Sequence, residues 1–226
     1  AIDEVQELAS SLPTVVRPGD AQRLGKGLVR MGVQLRIQMR LDDGVDFTSS
    51  ALNLLEKLQP SPTLAYSYRM ACHLSIHLGK LSVSQVLLRR AKQLDLALDS
   101  QRGILLACFT EGVISDLAGE HKQAEQVFQR CLEMLHLNRD VMPTWVIHKS
   151  LAATRLRLGD LHEARIAVDK AKRAIDLLDP VDRAELLLIE AEMLSRSGRY
   201  QEPLDLFSEA ARNLHKEQHS QELALI

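Results

Sequence analysis

Arg157-Leu158-Gly159-Asp160-Leu161-His162-Glu163-Ala164-Arg165-Ile166-Ala167-Val168-Asp169-Lys170-Ala171 restates, 40 residues on, the pattern of Leu117-Ala118-Gly119-Glu120-His121-Lys122-Gln123-Ala124-Glu125-Gln126-Val127-Phe128-Gln129-Arg130-Cys131. In both, an apolar helical run ends at glycine, a polar residue follows, and a second run opens with alanine, a bulky apolar residue and a small one. The interval extends outward: Gly79, Gly119 and Gly159 lie 40 apart, and Gly198 follows 39 later. Two further ladders keep step, Gly32, Cys72, Gly112, Ala152 and Ala191, and Ala51, Ala91, Cys131, Ala171 and Ala210. Small residues at fixed register allow helices to cross closely. A period between 20 and 50 residues marks stacked units, each completing its core with its neighbour.

Between the glycines, apolar residues recur at three and four, as in Leu105, Leu106, Phe109, Val113 and Leu117, and strand alternation is nowhere sustained. Glycine closes one helix in a left-handed cap, and so short a turn lays the next helix back antiparallel. The unit is helix A, tight turn, helix B and a looser connection, the connections marked by Pro60 and Pro62, Asp99 to Gly103, Asn138 to Pro143, and Asp179-Pro180. The pattern places helix pairs at 22–39 with 42–58, 63–78 with 82–98, 102–118 with 121–137, 142–158 with 161–177, and 181–197 with 200–215. Residues 1–21 read as a leading helix near 2–12 and a linker, and 22–226 as one continuous array of about five pairs plus the start of a further C-terminal helix. In the first pair the turn glycine is missing, and Asp42-Asp43-Gly44 offers a competing turn.

A small residue midway along helix A, glycine and a polar residue at the turn, then alanine, a bulky apolar residue and a second small residue along helix B resemble the tetratricopeptide repeat (TPR). The copies that carry the resemblance are Gly112, Gly119, Ala124, Phe128 and Cys131, then Ala152, Gly159, Ala164, Val168 and Ala171, and last Ala191, Gly198, Tyr200, Phe207 and Ala210 with Pro203 in place of the first helix B alanine. The family's large aromatic early in helix A and its proline after helix B are absent, and the period exceeds the standard 34. HEAT and armadillo repeats share a period near 40; the glycine-polar turn and the helix B alanine favour the TPR reading. The resemblance implies an all-α, right-handed superhelical stack of antiparallel helix hairpins, a TPR-like α-solenoid. Lengthened copies of this kind resemble the arrays of bacterial multidomain regulators, among them activators of the maltose-regulon type and diguanylate cyclases.

Composition narrows the function. A net charge of −2 and 4% aromatic residues supply neither a uniform positive field nor stacking platforms, so nucleic acid is not the expected partner. Cys72, Cys108 and Cys131 sit singly within apolar runs, which points to small core residues in a reducing, cytoplasmic compartment. No apolar run is long enough to cross a bilayer, and no secretory leader pattern opens the chain, which reads as a piece processed or excised from something longer. No GxSxG, HExxH, phosphate loop or kinase-like set occurs, and Gly25-Lys26-Gly27 lacks the context of a phosphate loop. The chain is therefore expected to be no enzyme and to need no cofactor.

Function then falls to a surface. In such a stack the A helices line the concave face. The groove residues expected there, off the core stripe, are Tyr66, Arg69, His73 and His77 on the second A helix, Phe109 and Asp116 on the third, Lys149 and Arg157 on the fourth, and Glu192 and Arg196 on the fifth. Arginine can clamp a carboxylate or phosphate bidentately and lysine acts as a point charge, whereas the plainer reading is a solvated helix face. His73 and His77 have the i, i+4 spacing of a metal pair, but two ligands without a third make no metal site. His121 and His162 are expected as ordinary surface residues, and Trp145 as a core anchor or an exposed contact aromatic. The expected partner is a protein, a peptide or a second copy of the chain, with a sensed small molecule as the alternative.

Overall fold

The chain is described by a computed structural model, which places residues 17–37, 40–137 and 142–223. Every regular element among them is helical: α1 Pro18–Ile37, α2 Leu41–Leu55, α3 Pro62–His77, α4 Leu81–Ala97, α5 Gln101–Leu117, α6 His121–Leu137, α7 Thr144–Leu158, α8 Leu161–Lys172, α9 Pro180–Arg196 and α10 Glu202–Leu223, with a 3-10 turn at Ile175–Leu177. The expected leading helix near 2–12 lies outside the described residues. Residues 18–21, expected in a linker, are already helical, since proline suits a first helical turn and Asp20 meets its positive end.

The turn glycines do what their spacing implies. Gly79, Gly119, Gly159 and Gly198 all have positive φ, between 70 and 83°, the left-handed conformation that an L side chain enters at a cost. The competing turn at Asp42-Asp43-Gly44 is not formed. Gly44 lies inside α2 and is buried, because its backbone is pressed against α1, where a Cβ on Gly32 would stand 3.0 Å from the Gly44 carbonyl oxygen. Gly103 likewise belongs to α5 rather than to a loose connection. Three helix starts are capped by side chains, two after a looser connection and one after a tight turn: Ser61 accepts from Leu64, Asp179 from Asp182, and Asp160 from Glu163.

The chain divides into two compact units, residues 1–114 and 115–226. In the first, α1 pairs with α2 and α3 with α4, and α2 also packs on α3. Its core runs through these layers: Leu28, Val29, Leu35, Phe47 and Ala51 form one cluster, and Leu52, Leu55, Leu64, Tyr68 and Ala91 the next. Leu88 of α4 joins Cys72, Ala107 and Ile114, so a B helix again closes on the following A helix. In the second unit α7 pairs with α8 and α9 with α10, while α6 packs on α7 and α8 on α9. The same rule thus governs both, a hairpin within each repeat and a B helix against the next A helix. Cys72, Cys108 and Cys131 are all buried, and burial pushes Cys72 up to about 12. Among the described residues no helix is long and apolar enough to cross a membrane.

Candidate functional site

The polar residues of the A helices are placed largely by one another. In the first unit Tyr66 is exposed and His77 receives Arg36 of α1 at 3.1 Å, Nη1 to Nε2. Arg69 is not on an open face as expected. It is 8% exposed and pairs with Asp95 of α4, itself 1% exposed, inside the second hairpin. The reason is register: Asp95 stands one helix turn below Ala91, on the stripe that α4 turns toward the core, and an isolated carboxylate there would be untenable without a cation. His73 is half-buried, and burial first, then Arg36, His77 and Arg69, lower its pKa to about 4. Phe109 on α5 is half-buried.

In the second unit Asp116 is the hub. Its Oδ1 meets His121 Nδ1 at 2.8 Å, and its Oδ2 accepts from Arg157 of α7. His121, expected as an ordinary surface residue, is thus held by a carboxylate. Lys149 does not project freely either. Its ammonium donates to Asp182 at 2.5 Å and to Glu185, both on α9, and lies 5.8 Å from the centre of the Trp145 ring. Burial alone would lower its pKa, and the two carboxylates reverse that, leaving it above the ordinary lysine value. Arg196 donates to the Leu156 carbonyl and pairs with Glu192 at 2.6 Å.

Three of these links share one logic. Arg36 with His77, Asp116 with Arg157, and the Leu156 carbonyl with Arg196 each span 40 or 41 residues. In each, the side chain two positions before the turn reaches the last turn of the preceding A helix. This clasp is legible as a spacing, but the sequence reading takes its members one helix at a time; it expects His121 only as a surface residue and passes over Arg36. It also passes over His148, whose pKa burial, then Lys170, Arg155 and Arg173, lower to about 4. What remains open chemically are the guanidiniums of Arg157 and Arg196. Arg157 is anchored by Asp116 and Arg196 by the Leu156 carbonyl and Glu192, yet their side chains are 45% and 44% exposed, which leaves N–H donors for a carboxylate or phosphate. Among the described residues no three histidine, cysteine or acidic side chains gather as a metal site.

No protein-family model matches the chain, and no curated protein matches it in sequence. Solved structures do match in fold. A Rap protein complexed with competence and sporulation factor superposes with a TM-score of 0.77 at 13% identity, over 98% of this chain and 60% of that one. BtubC from P. vanneervenii gives a TM-score of 0.68 at 13% identity, over 96% and 88% of the two chains. A Podosopora anserina protein of the kinesin light chain type, with nearly identical TPR-like repeats, gives 0.62 at 13% identity, over 88% and 98%. These likenesses show the fold, an all-α TPR-like array of helical hairpins. At such identities they carry nothing about residues, and the chain spans only 60% of the Rap protein.

Proposed function

We propose that this chain is a non-catalytic interaction module of a bacterial cytoplasmic signalling or transcription regulator, binding a protein or peptide through the exposed faces of its A helices, within one continuous array from residue 22 onward. The observation that carries the reading is the pair Arg157 and Arg196. Two guanidiniums, each fixed by a neighbour in the second unit and nearly half exposed, are pre-positioned to receive acidic groups. That a Rap protein of similar fold is complexed with a factor named for competence and sporulation supports a ligand-binding use of such arrays. Titration of an acidic peptide library tests it: for peptides bound by the parent, Arg157→Glu and Arg196→Glu each weaken binding about tenfold or more. Equal affinity of parent and variants for every peptide found rejects the assignment.

A second reading, a small-molecule sensor controlling an attached DNA-binding or cyclase domain, is favoured by one feature of the first unit. A cleft of about 430 Å³ there, lined in part by Glu56, Tyr68 and Arg90, has the size of a metabolite site. Tyr68 donates to Glu56, and burial together with that bond pushes its hydroxyl up to about 12. A thermal-shift screen with sugars and nucleotides separates the readings, since a specific ligand raises the melting temperature with concentration.

A further inference from the structure

The cleft of the first unit carries one charge of each sign. Glu56, just past the end of α2, and Arg90 of α4 both line it, and both are exposed. They do not meet. Tyr68 donates to Glu56 Oε1, while among the described residues Glu56 Oε2 accepts from no donor and Arg90 has no hydrogen bond or ion pair. Leu58, Leu64 and Leu94 line the same cleft.

The arrangement belongs to one repeat. One and two repeats on, the register of Tyr68 holds Cys108 and His148, and that of Glu56 holds Leu96 and His136. Packing that every repeat needs would recur, and this carboxylate-phenol pair does not. Tyr68 fixes the carboxylate without neutralising it. Burial, then the hydrogen bond and the charge of Glu56, push the hydroxyl up to about 12 against the opposing charge of Arg90, so at neutral pH it stays a donor.

The two charges restrict what can enter. A phosphate would stand against Glu56, a simple cation against Arg90, and a neutral sugar would displace water from both without replacing the charge they need. A molecule with an ammonium and a carboxylate on one carbon answers both. The guanidinium clamps the carboxylate through paired N–H donors, and Glu56 Oε2 accepts from the ammonium. The leucines then favour an apolar remainder.

We infer that this cleft binds a free α-amino acid with an apolar side chain, held at its two charges by Arg90 and Glu56 and along its side chain by Leu58, Leu64 and Leu94. The inference rests on the small-molecule reading of the cleft and names its ligand. A volume of about 430 Å³ accommodates it, and with both charged residues exposed to water the affinity belongs to the upper micromolar range.

Isothermal titration of the full chain with L-leucine, L-methionine and L-phenylalanine tests this, with glycine, leucinamide and N-acetyl-leucine as probes that each lack one of the three features. At least one of the apolar amino acids binds, and each incomplete probe binds about tenfold more weakly or worse. Arg90→Gln weakens the amino acid about tenfold or more and leaves leucinamide, which has no carboxylate, at the parent's affinity. Glu56→Gln, which keeps an acceptor for Tyr68, weakens the amino acid similarly and leaves N-acetyl-leucine no worse. Failure of all three amino acids to bind, equal binding of leucine and leucinamide, or an affinity untouched by Arg90→Gln overturns the inference. A sugar or nucleotide that binds where amino acids do not overturns it as well, yet leaves the cleft a small-molecule site; silence from every class rejects both.

Discussion

Arg69 of α3 and Asp95 of α4 form an ion pair inside the second hairpin, with side chains only 10% and 2% exposed. Gly103 of α5 lies directly against it, since a Cβ there would stand 2.0 Å from Asp95 Oδ1. Removing one partner strands a buried charge. Asp95→Ala is therefore expected to destabilise the first unit by about 3–5 kcal/mol, and the double change Arg69→Met with Asp95→Leu by far less. Urea denaturation measures both.

Gly103→Ala should act through the same pair. The added methyl cannot fit without moving the carboxylate, so a loss of about 1–3 kcal/mol is expected in the parent. In the Arg69→Met, Asp95→Leu background the cost should differ measurably, because neighbours sharing a contact are not additive. A double-mutant cycle by chemical denaturation reads the coupling.

His73 and His148 give the chain a defined response to acid. Each is held near 4 in the folded protein against an ordinary 6.5. Between those values the unfolded chain binds a proton that the folded chain refuses, so stability is complete above 6.5 and is lost as the pH falls toward 4. The slope is at most about 1.4 kcal/mol per pH unit for each histidine. His73→Gln should remove the share of the first unit and His148→Gln that of the second. Denaturation series at several pH values check both.

Asp116 should matter more than the arginine it holds. Its side chain is 11% exposed and serves both His121 and Arg157, whereas the Arg157 side chain is 45% exposed. Asp116→Ala is expected to cost about 1–3 kcal/mol through the lost hydrogen bonds. Arg157→Ala should cost under about 1 kcal/mol, since its partner keeps a second donor and the arginine is wet. Thermal melts of the two variants order them.

At Gly159 the backbone alone sets the cost. Its φ is 81° and a Cβ would meet nothing, so Gly159→Ala is expected to lose about 1–2 kcal/mol from conformation and not from crowding. Gly159→Asn should lose less, because asparagine enters this region more readily. Calorimetry on the two variants distinguishes them.

Local chemistry along the sequence determined the helices, their pairing into hairpins and the 40-residue step, because turn glycines, small-residue ladders and apolar periodicity act within a few residues of one another. The first turn was the exception: Gly44 looks like a turn residue along the chain and is a crossing residue in space, packed against Gly32. The polar face of the A helices was legible as residue types and not as roles. A charge's fate depends on what stands opposite it a helix or more away along the chain, and only tertiary packing decided that Arg69 is sealed with Asp95, that Lys149 serves Asp182 and Glu185, and that Arg157 and Arg196 keep donors free in water.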